Sequence, residues 1–321
     1  MKRDNYALVL SVLAVWIGLL AGCQTGPAQT PDLVNATATV ETAAAPSTIT
    51  PPSTGKPASV LLLTATKPSP VVIETAKLTP FPSKVSEVEM VLIEAGEFLM
   101  GSSDTDTAAE RDEKPQHEVF LNAFYIDRTE VTNAMYRQCV DAGYCTPPEQ
   151  VKSSTHAVYY GNPDFDDYPV IYVSWSQAAS YCGWRKARLP SEAQWEKAAR
   201  GTDGRIYPWG AGIDCTRANY GGPEGCRGDV ARVGSFPDGA SPYGLLEMSG
   251  NVWEWVNDWY LDIFYEDSPI NNPKGPSAGE RRILRGGAWI TGEAILRTAN
   301  RQYLAPSETN AYLGFRCVRS T

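Results

Sequence analysis

Short strands, well-signalled helices and a glycine- and proline-rich second half predict an α+β domain, placed after an amino-terminal stretch that lacks the composition to fold. Three observations carry this reading. Ser174-Trp175-Ser176-Gln177 and Ser191-Glu192-Ala193-Gln194 are capping boxes, whose Ser and Gln side chains satisfy two otherwise orphaned backbone N–H groups at a helix entrance. Trp253 and Trp255 alternate with Val252 and Glu254 behind Gly250-Asn251, as in a strand entered through a tight turn. Between Gly201 and Gly250 no long helical period survives, and Gly, Pro and Asn dominate instead.

At the start of the chain, Lys2 and Arg3 precede an apolar run from Ala7 to Leu20. A bilayer span takes about 20 apolar residues, so the run suits a signal peptide better than a membrane helix. It closes on Leu20-Ala21-Gly22-Cys23, which resembles the bacterial lipobox. Residues 1–22 are therefore expected to be a lipoprotein signal peptide. Cys23 becomes the lipidated first residue of an exported, extracytoplasmic protein held at the bacterial cell membrane or envelope. Residues 23–85 are rich in Thr, Pro, Ala and Ser, with few aromatics and little charge. Such a segment cannot bury enough surface to offset its ordering entropy, and it reads as a disordered tether. The folded domain is expected over 86–321.

The net charge of −9 argues against a nucleic-acid partner and against an electrostatic membrane patch. With Cys23 set aside, six of the seven cysteines remain, and an even count in an exported chain points to three disulfides. A metal site is the alternative. The close pairs lack CxxC spacing, however, and the only histidines are His117 and His156, so zinc is not expected.

Along the domain, Met90–Ile93 and Glu97–Met100 flank Glu94-Ala95-Gly96 and read as a β-hairpin, followed by a strand over 119–126. Thr132 can cap a helix running through Asp141 and ended by Gly143. Cys139 lies late in that helix and Cys145 just beyond it, so a local bridge fits. The two boxed helices should run from Ser174 to about Trp184 and from Ser191 to Arg200. The second would present Trp195, Ala198 and Ala199 on one face. Ile283–Arg285, Ala288–Ile290 and Gly314–Val318 read as the last strands. In the Gly250–Trp255 stretch, the two indoles should share the inner face. Glu254 would then sit at the edge of a turn, free to bind a cation or a partner.

Eight segments, in order, are similar to those of one family: Ala95 to Gly101 (AGEFLMG), Thr129 to Asn133 (TEVTN), Pro169-Val170 with Val173-Ser174-Trp175, Arg188 to Glu196 (RLPSEAQWE), Tyr207 to Gly210 (YPWG), Gly250 to Trp255 (GNVWEW), Leu284 to Trp289 (LRGGAW) and Leu313 to Cys317 (LGFRC). The domain thus resembles the formylglycine-generating enzyme (sulfatase-modifying factor) family, a loop-rich variant of the C-type-lectin-like fold. The resemblance implies that Cys182 bridges Cys317, leaving Cys139–Cys145 and Cys215–Cys226 as short-loop pairs. It also implies structural calcium, held by the Glu247 and Glu254 side chains with the carbonyls of Gly250 and Val252. A second site would use Asn219, the Tyr220 carbonyl and an acid taken to be Asp229.

The resemblance departs at the chemistry. The family's aerobic oxidases convert a sulfatase cysteine to formylglycine with a copper ion bound by two cysteines just after the Gly-Gly pair. Here the segment from Trp289 to Arg301 contains no cysteine, and Ala288 replaces a family serine. Soft thiolates select Cu(I), and Thr, Leu and Ile cannot replace them, so no copper is expected and no catalytic residue is assigned. Other branches bring iron through histidines of an additional domain, a route two distant histidines do not supply. The favoured reading is therefore a non-catalytic module binding a peptide, protein or glycan. Its cleft would be formed by Trp253, Trp289, Thr291, Glu293, Arg297 and Arg301, although the arginines also suit structural pairing with buried acids. The alternatives are a protein-modifying oxidoreductase or sulfatase accessory factor with a remodelled site, and an envelope protein without a specific ligand.

Overall fold

The computed structural model describes residues 88–222 and 225–321. The expected signal segment, Cys23 and the whole of the tether lie outside the described residues. The domain opens with a bent antiparallel ribbon. Strand β1 (Met90–Ile93) pairs with β4 (Phe124–Asp127), and β2 (Gly96–Met100) pairs with β3 (His117–Leu121). The expected hairpin between β1 and β2 is therefore not formed. Ile93 faces Phe124 and Gly96 faces Leu121, so the register runs unbroken past the bend at Glu94-Ala95, opposite Asn122-Ala123. The ribbon wins because it brings Ile93, Phe98, Met100, Val119, Leu121, Phe124 and Ile126 into one buried cluster. The stretch over 119–126 is accordingly two strands rather than one.

The three helices follow the local signals. Helix α1 (Asn133–Asp141) is capped by the Thr132 hydroxyl, which accepts from the Met135 N–H. Helices α2 (Trp175–Trp184) and α3 (Glu192–Arg200) each start in a complete capping box. Ala193, Trp195, Ala198 and Ala199 of α3 seal the ribbon's core. Gly201 ends the helix in the left-handed region, at φ 74°.

Strand β5 (Trp253–Trp259) is the axis of a four-stranded sheet in the order β7 (Gln302–Leu304), β6 (Arg282–Arg285), β5, β8 (Leu313–Gly314). Strand β8 runs parallel to β5, and the other pairs are antiparallel. Strand β9 (Val318–Ser320) adds to β4. Two expected strands fail. Residues 288–290 turn instead, because the Thr291 side chain bonds both the Ala288 N–H and its carbonyl, and the Thr291 N–H returns to the same carbonyl. The stretch from Gly314 to Val318 breaks between β8 and β9, where the Phe315 carbonyl accepts from the Val131 N–H and the Cys317 carbonyl from the N–H of Asp127 at the end of β4.

All three expected disulfides are present: Cys139–Cys145, Cys182–Cys317 and Cys215–Cys226. Cys182–Cys317 spans a sequence separation of 135 and pins α2 to the last turn of chain before β9. In the chain-entropy view it removes about 5 kcal/mol of unfolded-state freedom, against about 2–3 kcal/mol for each short loop. Trp253 and Trp255 pack in the same cluster as this bridge, with Tyr136, Tyr181 and Phe315. Among the described residues no helix is long and apolar enough to cross a membrane.

Candidate functional site: a buried acid cluster beneath an exposed turn

Strand β5 carries Glu254 into the protein rather than to its edge. The side chain has no exposed surface, and Arg316 grips both of its oxygens at 2.7 Å through Nε and Nη2. The Trp195 indole N–H donates to one of the same oxygens at 2.8 Å. Burial alone would depress the Arg316 pKa; the charge and hydrogen bonds of Glu254 outweigh it and raise the pKa instead. Glu254 is therefore buried rather than free at the edge of a turn, and Arg316 matches its charge.

Two neighbouring acids are not matched. Glu130 is fully buried and accepts from Asn251 Nδ2 through one oxygen, while the other has no donor. Glu247, 3 % exposed, has no side-chain donor on either oxygen and is approached only by the backbone N–H groups of Gly234 and Phe236. Burial raises both pKa values; for Glu130 the charge of Glu247 is the next largest cause. The backbone at Gly234 and Phe236, together with Arg316, draws the Glu247 pKa back only in part. Asn219 completes the group, with its Nδ2 donating to the Asp229 carbonyl and its Oδ1 left without a donor. Backbone packing is tight here: a Cβ at Gly250, where φ is +86°, would lie 2.4 Å from the Asn219 carbonyl oxygen.

The oxygens of the two expected calcium sets differ in how far they are already hydrogen-bonded. Asn219 Oδ1 and Glu130 Oε2 have no donor, and neither oxygen of Glu247 has a side-chain donor. Asp229 does not join them. Its carboxylate accepts from Ser153 Oγ, Thr155 Oγ1 and Thr155 N at 2.6, 2.6 and 2.9 Å, and these bonds hold its pKa low against the cost of burial. The Tyr220 carbonyl already accepts from the Cys226 N–H. Among the described residues no three His, Cys, Asp or Glu side chains are grouped so as to hold a metal by themselves. Backbone carbonyls would have to supply the remaining ligands.

The expected cleft is likewise divided. Trp253 is only 4 % exposed and belongs to the core. Arg297 is fixed by two 2.6 Å bonds to Glu113 and one of 3.3 Å to Asp106, and Arg301 binds both oxygens of Glu192 at 2.8 and 3.1 Å. Both arginines are buried and held in ion pairs with these acids. What remains at the surface is the turn after Gly287. Trp289 is half-buried, with its indole N–H on the Ala311 carbonyl at 3.3 Å, while Ile290 is 52 % exposed and Glu293 is exposed. Thr291 Oγ1 is spent on the turn itself. The turn leans on an aromatic pair the sequence reading did not place at the site. Tyr207 and Trp209 stack at 5.4 Å, and the Tyr207 hydroxyl donates to the Glu293 carbonyl. Two aromatics around one proline, in Tyr207-Pro208-Trp209, were the available signal.

A family model described as Sulfatase-modifying factor enzyme 1-like domain matches residues 75–321. The chain belongs to this sulfatase-modifying factor family. It is 38 % identical over 247 residues to the serine/threonine-protein kinase pkn1 of Chlamydia caviae, covering 72 % of this chain and 38 % of the kinase. The chain therefore spans about two fifths of the length of that relative. It is 33 % identical over 283 residues to the formylglycine-generating enzyme of Streptomyces coelicolor, covering 71 % of this chain and 88 % of the enzyme. Among solved structures it is similar to PvdO from Pseudomonas aeruginosa, with a TM-score of 0.63 and 27 % identity, covering 72 % of this chain and 94 % of that one. The sulfatase-modifying factor fold is thus present. Within it, all six cysteines of the described residues are consumed in disulfides, so none offers a thiol.

Proposed function

We propose that this protein is a lipid-anchored, extracytoplasmic binding module of the sulfatase-modifying factor family that does not perform the family's oxidation. The observation that supports this reading is the fate of the cysteines. In the segment after Gly287 the side chains are those of Ala288, Trp289, Ile290 and Thr291, and the six cysteines of the domain are bridged elsewhere. These residues do not fit a copper ion, which needs soft thiolate donors. The same turn is well made for contact. Trp289, Ile290 and the stacked Tyr207–Trp209 pair give a rigid aromatic and aliphatic face, beside the charge of Glu293. A peptide, a protein surface or a glycan would be held there by packing on the indole and by hydrogen bonds at the rim. A hot-spot aromatic accounts for about 2 kcal/mol or more, so Trp289→Ala should weaken a ligand captured from a peptide or glycan array about 30-fold or more. Equal capture by the variant would remove this face from the account.

Two further parts of the proposal rest on residue chemistry. The first is structural calcium at Glu247, Glu130, Asn219 and the carbonyls of the Gly250–Val252 turn; a bound cation would supply the counter-charge those acids lack. The second is lipidation of Cys23, which would place the domain outside the cytoplasm at the end of its tether. Stable attachment needs two or more acyl chains, and Cys23→Ala should move the protein from the washed membrane fraction to the soluble one. Retention of that variant on membranes would contradict the anchor.

A further inference from the structure

A cavity on a different part of the domain shares no residue with the Trp289–Glu293 face. It measures about 620 Å³ and opens where the bend of the ribbon, the entrance of α3, strand β5 and the end of β9 come together. Its lining is unusual in charge. Arg188 and Lys274 both face it, and no Asp or Glu side chain does. The arginines buried in the interior are matched to acids, Arg185 to Asp127, Arg200 and Arg285 to Glu196, Arg297 to Glu113, Arg301 to Glu192, and Arg316 to Glu254, whereas Arg188 is exposed at the surface. Arg188 instead donates one Nη to two neutral acceptors, the Leu189 carbonyl and Gln194 Oε1, at 3.0 and 2.8 Å. The carboxyl whose charge reaches it, Asp258, is buried and has its pKa pushed up to about 8, so it is mostly neutral at pH 7.

The rest of the wall mixes donors and acceptors. Asn122, Asn257 and Asn272 contribute to it, and Phe124 and Pro273 supply apolar surface. Amides that both donate and accept suit hydroxyl groups, the apolar floor suits the C–H face of a ring, and two exposed cations in a wall without Asp or Glu suit a carboxylate. The volume lies within the range of small-molecule sites. We propose that this cavity is a binding site for an acidic saccharide, a uronic-acid di- or trisaccharide in chemical class, with its carboxylate between Arg188 and Lys274. The reading is independent of what binds at Trp289.

The test is titration calorimetry of the full chain with digalacturonate, alongside the uncharged galactobiose and an Asp-Asp dipeptide. Digalacturonate should bind, galactobiose at least 10-fold more weakly, and the dipeptide no better than galactobiose. Loss of a hydrogen bond to a charged group is worth about 10- to 100-fold, so Arg188→Ala should weaken digalacturonate by that factor. Lys274→Ala should weaken it several-fold, with a shallower salt dependence. Because Arg188 lies before α3, Asn257→Asp serves as a second variant: an acid in the wall should repel the ligand and leave galactobiose unaffected. No binding of digalacturonate, equal binding of galactobiose, tighter binding of the dipeptide, or wild-type affinity in Lys274→Ala and Asn257→Asp would each overturn the proposal.

Discussion

Arg316 clasps Glu254 through two bonds of 2.7 Å, and neither side chain has any exposed surface. The pair joins β5 to the segment leading into β9, and Arg316 also donates to the Asp127, Arg128 and Leu246 carbonyls. Removing one partner strands a buried charge, which costs about 3–5 kcal/mol. Glu254→Gln should therefore lower the urea midpoint strongly, and by the same amount with or without a calcium chelator. A loss of stability seen only in calcium would show that Glu254 is a cation ligand after all.

The unmatched acids predict the opposite pattern. Calcium should raise the melting temperature of the wild-type domain, and saturation at 100 times the dissociation constant adds about 2.7 kcal/mol. Glu247→Gln should abolish that increment while costing little in chelator, where the folded protein no longer has to bury that carboxylate. Identical melts in calcium and chelator would remove the site. A calcium increment that survives in Glu247→Gln would place it elsewhere.

Asp258 predicts a pH dependence of its own. Burial, and next the charge of Glu192, push its pKa to about 8, while Arg301 and Arg188 pull the other way. In the unfolded chain an Asp releases its proton near pH 3.9. Between these values the folded state holds the extra proton, so this group favours folding at low pH and its contribution is lost as pH rises from about 4 through 8. The slope from one such group is at most about 1.4 kcal/mol per pH unit. Asp258→Asn should flatten the decline in urea stability across that window. A variant that declines as steeply as the wild type would show that Asp258 is ionised in the fold.

The helices were legible because their start signals are local: Ser174 and Ser191 act on backbone groups three residues away. The ribbon was not, because Gly96 chooses Leu121 over its nearer neighbours for the sake of a core assembled from four strands. The same distance hides the arginines. Glu113 lies 184 residues from Arg297, and Glu192 lies 109 from Arg301. A charged residue in a variable segment reads equally as ligand contact or ion pair until its partner is placed. Trp289 was assigned to a strand, since nothing in the residue types reveals that the Thr291 hydroxyl closes a turn. The loss of the cysteine pair, by contrast, is a statement about residue identity and was complete in the sequence.

The central claim is that this domain keeps the sulfatase-modifying factor fold without its oxidation, and one measurement addresses it directly. The purified protein is incubated with copper, oxygen and a Cys-X-Pro-X-Arg peptide, and the peptide is assayed for aldehyde by trapping and mass spectrometry. The account predicts no aldehyde above the protein-free control, because the described residues offer no thiol to hold the metal. Aldehyde formed in repeated turnovers, and retained when each disulfide cysteine is replaced in turn, would contradict it and establish an oxidising centre built from other side chains.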